Sequence, residues 1–232
     1  MIQVENLIKH YKLGGEIVKA VDDISFRIED SEMLSIIGPS GSGKSTTMQI
    51  LGGLDSPDSG TVVVDGQNIA KLSRGKLAQY RNKKIGFIFQ TFNLQPHLTA
   101  IENVELPLLF STVSRRKRRE MAKDALIKVG LQDRLNHRPN ELSGGQRQRV
   151  SIARALVNQP SIIFADEPTG NLDSKTGQSI LELLRMLNKE EGVTIIIVTH
   201  DEYIAKSTDR IIQIKDGKII NDKVSEKALT IE

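Results

Sequence analysis

The sequence predicts an α/β fold with a mainly parallel sheet core, an N-terminal antiparallel β subdomain and an inserted α-helical subdomain. Three observations carry this. Strand-sized apolar runs such as "SIIFAD" and "VTIIIVTH" alternate with helical patterns, as in a parallel sheet joined by crossover helices. Met1 to about Glu32 alternates in pieces ("MIQVENL", "VDDISFRIE") at the two-residue period of strands that bury one face. Between about Thr91 and Glu141 the β-branched runs give way to charged segments with helical spacing.

In chain order, the N-terminal strands are rejoined by "GTVVVDG" at Gly60 to Gly66. The apolar run Met33 to Ile37 passes through glycines into "STTMQILGGL", which reads as strand, loop and helix. "KIGFIFQ" is a further strand, closed by Gln90. In "RREMAKDALIKVG", Met121, Ala125, Leu126 and Val129 fall on one stripe and Gly130 is a stop. A helix begins at Gly144 with Val150, Ala153, Leu156 and Val157 inward. Strand "SIIFAD", helix "SKTGQSILELLRMLNKEEG", strand "VTIIIVTH" and helix "DEYIAKST" follow. "RIIQIKDGKII" is a hairpin turning at Asp216 and Gly217, and "VSEKALTIE" a short tail. The expectation is one domain over residues 1–232, with 91–149 as the inserted helical subdomain.

Composition narrows the chemistry. With 232 residues, 38% hydrophobic and 26% charged, the chain has ordinary globular usage and room for a sizeable core. No apolar run approaches the roughly 20 residues of a membrane span. Glu5 and Lys9 stand where a signal peptide would be apolar, so a cytosolic location is expected. The absence of cysteine removes disulfides, thiolate catalysis and cysteine-ligated zinc. A net charge of +3 makes no case for nucleic acid, and none is expected as a partner. The basic run Arg115 to Arg119 is either a solvated helix face or a contact for anionic lipid headgroups or an acidic partner.

"GPSGSGKS", Gly38 to Ser45, matches G-x-x-x-x-G-K-[ST] between a buried strand and a helix. Gly38, Gly41 and Gly43 let the backbone bend so that the N–H groups of the loop, with Ser40, Ser42 and Thr46, converge on phosphate oxygens. Lys44 would reach the β and γ phosphates, and Ser45 would give its hydroxyl to Mg²⁺. Asp166 and Glu167 end an apolar strand: the first suits the metal's water shell, the second suits a base for an attacking water. His200 ends the neighbouring strand on the same edge, where a donor could contact the γ phosphate. The Gln90 amide could bind the metal's water shell and swing away as the next segment moves. Tyr11 could stack on adenine, or is an ordinary surface tyrosine. The candidate catalytic set is Glu167, His200 and Lys44; the candidate metal set is Ser45, Gln90 and Asp166.

A second glycine pair, in "LSGGQ", follows Ser143 at a helix N-cap position. Ser143, Gly144, Gly145 and Gln146 offer bare N–H groups and a hydroxyl to an anion. Tyr11, "GPSGSGKST", Gln90, "LSGGQ", "IIFADE", "NLD" at Asn171 to Asp173, and His200 occur in the order of an ABC-type ATP-binding cassette, which the chain resembles over essentially its whole length. That resemblance implies a P-loop NTPase of ABC type that hydrolyses ATP with Mg²⁺. It also implies a head-to-tail homodimer in which "LSGGQ" of one copy caps the γ phosphate held by the other, with Asp173 at the facing interface. The partner implied is an integral-membrane permease, which would hold the chain on the inner face of the cell membrane. "FIFQTFNLQPHLTAIENVELPLL" is similar to cassettes of macrolide-export, lipoprotein-release and antimicrobial-peptide detoxification systems. Phe92, Leu94, Pro96 and Leu98 are candidates for the permease groove, or else core of the insertion. A soluble ABC ATPase acting on ribosome or DNA is the rival reading; this sequence lacks the long coiled coils or fused second cassette usual in such proteins.

Overall fold

The computed structural model describes residues 1–225. Strands β1 (Ile2–Leu13) and β2 (Glu16–Ile28) form a long antiparallel hairpin turning at Gly14 and Gly15. β3 (Met33–Ile37) leads through the phosphate loop into α1 (Lys44–Leu51). β4 (Ser59–Val64) returns antiparallel to β1 and is followed by the short β5 (Gln67–Asn68), giving a four-stranded sheet in the order β2-β1-β4-β5.

α2 (Arg74–Lys84) then enters β6 (Ile85–Ile88). α3 (Ala100–Glu105), α4 (Arg115–Lys128) and several short 3-10 turns make the helical insertion. α5 (Gly144–Leu156), β7 (Ile162–Asp166), α6 (Ser174–Glu191), β8 (Thr194–Thr199), the single-turn α7 (Glu202–Ala205), β9 (Arg210–Lys215) and β10 (Lys218–Val224) complete the chain. The main sheet runs β10-β9-β3-β8-β7-β6, parallel throughout except for β10.

The central strands of the main sheet are buried on both faces. Along β7, Ile163 and Ala165 enter the core under the helices, whereas Ile162 and Phe164 enter the core shared with the antiparallel sheet and α1. β8 divides in the same way, with Ile195 and Ile197 on one side and Ile196 and Val198 on the other. Continuous apolar runs are what strands buried on both faces require. In the insertion, Ala125, Leu126 and Val129 are buried and Met121 packs against them, and Gly130 stops α4 at φ 75°. α5 runs through residue 149 without a break, joining the insertion to the sheet as one rod.

Several elements depart from the sequence expectation. α2 was not visible as a helix because it is polar on nearly every side; only Tyr80 is buried, its hydroxyl donating to Leu51 O at 2.9 Å. β6 stops at Ile88, so Gln90 lies in the turn beyond the strand and does not close it. "DEYIAKST" forms only the turn α7, because Thr208 bends back to donate to Ala205 O. Asp216 and Gly217 make the expected hairpin turn, both with positive φ. Of the expected tail, Val224 ends β10, and residues 226–232 lie outside the described residues.

Candidate active site

The phosphate loop leaves the central strand β3 and wraps the start of α1. Gly43 is the N-cap, with φ 105° and its α-carbon pressed against β2: a Cβ there would overlap Ala20 O. The β9–β10 hairpin closes the other side, Gly217 N donating to Ser42 O at 3.0 Å. Lys44 is buried, and its Nζ donates to Gly38 O (2.8 Å) and Pro39 O (2.9 Å). Burial lowers its pKa, and the Glu167 and Asp166 carboxylates oppose that shift, so the three charges share one neighbourhood. Ser40, Gly41 and Ser45 are exposed and Thr46 is half-buried in the first turn of α1. Ser42 Oγ is buried with no hydrogen-bond partner.

Asp166 ends β7, and burial, with the Glu167 charge second, raises its pKa against the pull of Lys44. Glu167 takes a left-handed φ of 45°, a conformation that a bulky residue keeps only when its surroundings fix it. They do. Its N–H donates to Val198 O at 2.9 Å, while its carboxylate accepts from Thr199 Oγ1 (2.9 Å) and His200 N (3.0 Å) and lies 2.6 Å from His200 Nδ1. A carboxylate only accepts, so Nδ1 carries the proton and Nε2 faces outward on a ring that is 74% exposed. Thr199, which the sequence reading did not single out, is one of the groups that hold this carboxylate; its signal was its place just before His200 at a strand end.

The Gln90 turn is gripped from two sides. Asn171 Nδ2 donates to Gln90 O at 2.9 Å, and the Gln90 amide lies against Gly170. Phe92 and Asn93 have left-handed φ values of 59° and 50°, and Arg154 on α5 donates to both their carbonyls, at 2.8 Å and 2.5 Å. The Arg147 guanidinium stands 5.4 Å from the Phe92 ring centre. Arg154, which the sequence analysis did not single out, is thus the main anchor of this turn.

At the second glycine pair, Ser143 caps α5. Its Oγ accepts from Gln146 N at 3.2 Å, and Gln146 Oε1 accepts from Ser143 N at 2.9 Å. The cap leaves the hydroxyl proton of Ser143 and the N–H groups of Gly144 and Gly145 without intrahelical partners. Gly145 is packed so closely on α6 that a Cβ would overlap Thr176 Cγ2. Asp173 caps α6, accepting from Thr176 N at 3.0 Å. Among the described residues, no hydrogen bond or ion pair joins the Ser143 segment to the phosphate loop: one leans on α6, the other on β2 and the β9–β10 hairpin.

Tyr11 lies on β1 and donates its hydroxyl to Asp55 Oδ2 at 2.6 Å. Burial and this carboxylate push the phenol up to about 12. A cleft of about 970 Å³ opens between β6 and the insertion, walled by Phe87, Phe89, Phe110, Arg81 and Arg154. None of Phe92, Leu94, Pro96 or Leu98 lines it: Leu94 packs on the helical core, and Phe92 is turned toward Arg147. Asn103, wholly buried, holds their segment with bonds to Gln95, Leu98 and Thr99.

Comparison with known proteins agrees with this geometry. The profile of the ABC transporter family matches residues 21–170. The chain is 52% identical to the uncharacterized ABC transporter ATP-binding protein YvrO of Bacillus subtilis, covering 96% of this chain and 97% of that one. It is 49% identical to the macrolide export ATP-binding/permease protein MacB of Bartonella quintana, covering 99% of this chain and 35% of that longer one. A dimeric post-hydrolysis structure of the ATP-binding cassette MJ0796 bound to ADP and Pi superposes with a TM-score of 0.88 at 48% identity, covering 97% and 98% of the two chains. The MJ0796 sequence, from Methanocaldococcus jannaschii, is 51% identical over 94% of this chain and 95% of its own. The chain belongs to the ABC transporter family, as an ATP-binding cassette with ATPase activity.

Proposed function

We propose that two copies of this chain close head to tail around two ATP molecules and drive a separate membrane permease, in a system for export, lipoprotein release or peptide detoxification. The observation that carries the hydrolytic part is the Glu167 carboxylate, fixed by Thr199 and His200 beside Lys44 and Asp166. Glu167 is positioned to accept a proton from an attacking water. Lys44 and the loop N–H groups balance charge on the phosphates, and His200 acts by holding the Glu167 carboxylate at that edge.

The residues fit a polyphosphate and its cation. The loop converges backbone donors and an ammonium, and Ser42 Oγ is a buried hydroxyl with a bond to give. Among the described residues no group of three or more His, Asp or Glu is placed to hold a metal alone, so Mg²⁺ would rely on nucleotide oxygens together with Ser45, Gln90 and Asp166. When bound, it neutralises phosphate charge. The unpaired donors at Ser143, Gly144 and Gly145 stand apart from their own phosphate loop, which supports their serving a second copy, with Tyr11 carrying the base and Asp173 near the shared interface.

MacB's name joins an ATP-binding part to a permease, which supports a permease partner here. Among the described residues no helix is long and apolar enough to cross a membrane. A permease partner would hold the chain peripherally on the inner face of the cell membrane. We place the permease contact in the cleft of Phe87, Phe89, Phe110 and Arg154, with residues 91–149 acting as the helical insertion of a single ATP-binding domain. Glu167→Gln is the test: it should bind ATP, elute as a dimer on size exclusion and lose at least about 100-fold in turnover. Near-normal hydrolysis by that variant would remove Glu167 from its role.

A further inference from the structure

The Tyr11 hydroxyl is not left to solvent. It donates to Asp55 Oδ2 at 2.6 Å, and Thr46 in the first turn of α1 also lies beside it. Asp55 is itself held: Ser56 N donates to its Oδ1 at 2.7 Å, and Lys9 Nζ approaches the same oxygen at 3.3 Å. Lys9 also donates to Ser56 O at 2.8 Å, and its Nζ stands 5.2 Å over the centre of the Tyr11 ring. His10 N donates to Asp58 Oδ2 at 2.7 Å, and Asp58 N to Ile8 O at 2.9 Å. The segment after α1 is therefore stitched to β1 around Tyr11.

This arrangement does two things to the ring. The Asp55 bond fixes its tilt, and the Lys9 ammonium covers one face, so a stacking base would have to use the other. It would also place both ends of one nucleotide under the control of one helix. The start of α1 shapes the phosphate loop, and the segment just past its end sets the aromatic platform.

We propose that Asp55 is a positioning residue for nucleotide binding: by holding the Tyr11 hydroxyl, with Lys9 on the far face, it presets the ring against which the purine stacks. This rests on the reading of Tyr11 as the base platform. Stacking does not read base edges, so adenine and guanine should benefit alike and a ligand without a base should not benefit at all.

The test is calorimetric binding of ADP, GDP and inorganic pyrophosphate to the full chain, none of which turns over. Tyr11→Ala should weaken ADP roughly five- to hundredfold, the usual worth of a stacked base. Asp55→Ala and Tyr11→Phe should each weaken ADP and GDP about two- to tenfold, the cost of ordering a loosened side chain. Pyrophosphate should bind them as it binds wild type. The double variant Tyr11→Phe with Asp55→Ala should be no worse than either single. Asp55→Asn keeps an acceptor for the phenol and should stay close to wild type.

If Tyr11→Ala weakens ADP but Tyr11→Phe and Asp55→Ala do not, the role of Asp55 is overturned and the platform stands. If Tyr11→Ala leaves ADP binding unchanged, both fall. An equal loss for pyrophosphate in Asp55→Ala would mean that Asp55 merely supports the phosphate loop, which also overturns the proposal. Tyr11→Phe removes a single oxygen, so a folded variant is available even if Asp55→Ala is unstable.

Discussion

Replacing Gly43 by alanine tests the central geometry of the phosphate loop. Its φ of 105° costs an L residue about 1–2 kcal/mol. The added methyl would lie closer than 3.0 Å to Ala20 O, a backbone atom of β2 that cannot rotate aside. Overpacking of this kind costs about 1–3 kcal/mol, which brings the total to about 2–5 kcal/mol. For a chain of this size that is a fall in Tm of roughly 5–20 °C. Gly41→Ala is the internal control: its φ is 76°, but nothing lies within 4 Å of the new methyl. It should lose only the conformational part, roughly 2–8 °C. Differential scanning calorimetry of the three proteins decides, and ATP titration should show Gly43→Ala losing affinity as the loop is pushed off β2. If Gly43→Ala melted within about 2 °C of Gly41→Ala, the contact with β2 would not be the constraint described.

Other changes should behave as follows. Thr199→Val removes one of the bonds that aim Glu167 and should lower kcat about tenfold with KM nearly unchanged; a rise in KM alone would refute the orienting role. Arg154→Gln should cost about 1–3 kcal/mol in urea unfolding and raise amide exchange over residues 90–94; unchanged exchange there would show that the turn holds itself. Because burial and Glu167 raise the Asp166 pKa, the folded state keeps that proton to higher pH than the unfolded chain. The stability it contributes is full below the ordinary carboxylate value and is lost as pH rises through the raised one. Asp166→Asn should therefore be more stable than wild type at pH 7 by about 0.5–2 kcal/mol. That gain should shrink toward about pH 4 while ATP hydrolysis collapses; a gain independent of pH would contradict the burial argument.

The candidate site was legible wherever chemistry needs a fixed residue type at fixed spacing. Gly38 to Ser45 reads as a phosphate loop because only glycines fit φ values and contacts like those at Gly43. Asp166 and Glu167 were visible because a strand buried on both faces is a plain apolar run, and acids at its end stand out. Thr199, Arg154 and Asp55 were not visible. Each acts through a neighbour distant in sequence, with partners at Glu167, Phe92 and Tyr11 respectively, and a hydroxyl, a guanidinium or a carboxylate carries no mark of which chain segment will arrive beside it.

By itself, then, the sequence determined the fold class, the order of most elements, and where the two glycine segments and the acid pair fall, since period, glycine placement and strand ends are local properties. α2 escaped it because a helix polar on nearly every side has no period to read. Only the tertiary structure decided what each group faces. It set Lys44 among Asp166 and Glu167, turned Phe92 toward Arg147, and packed the Ser143 segment at the start of α5 against α6, apart from the phosphate loop. The physical reason is that sheet order and helix docking are settled by burial of two cores summed over the whole chain, and no single segment carries that sum.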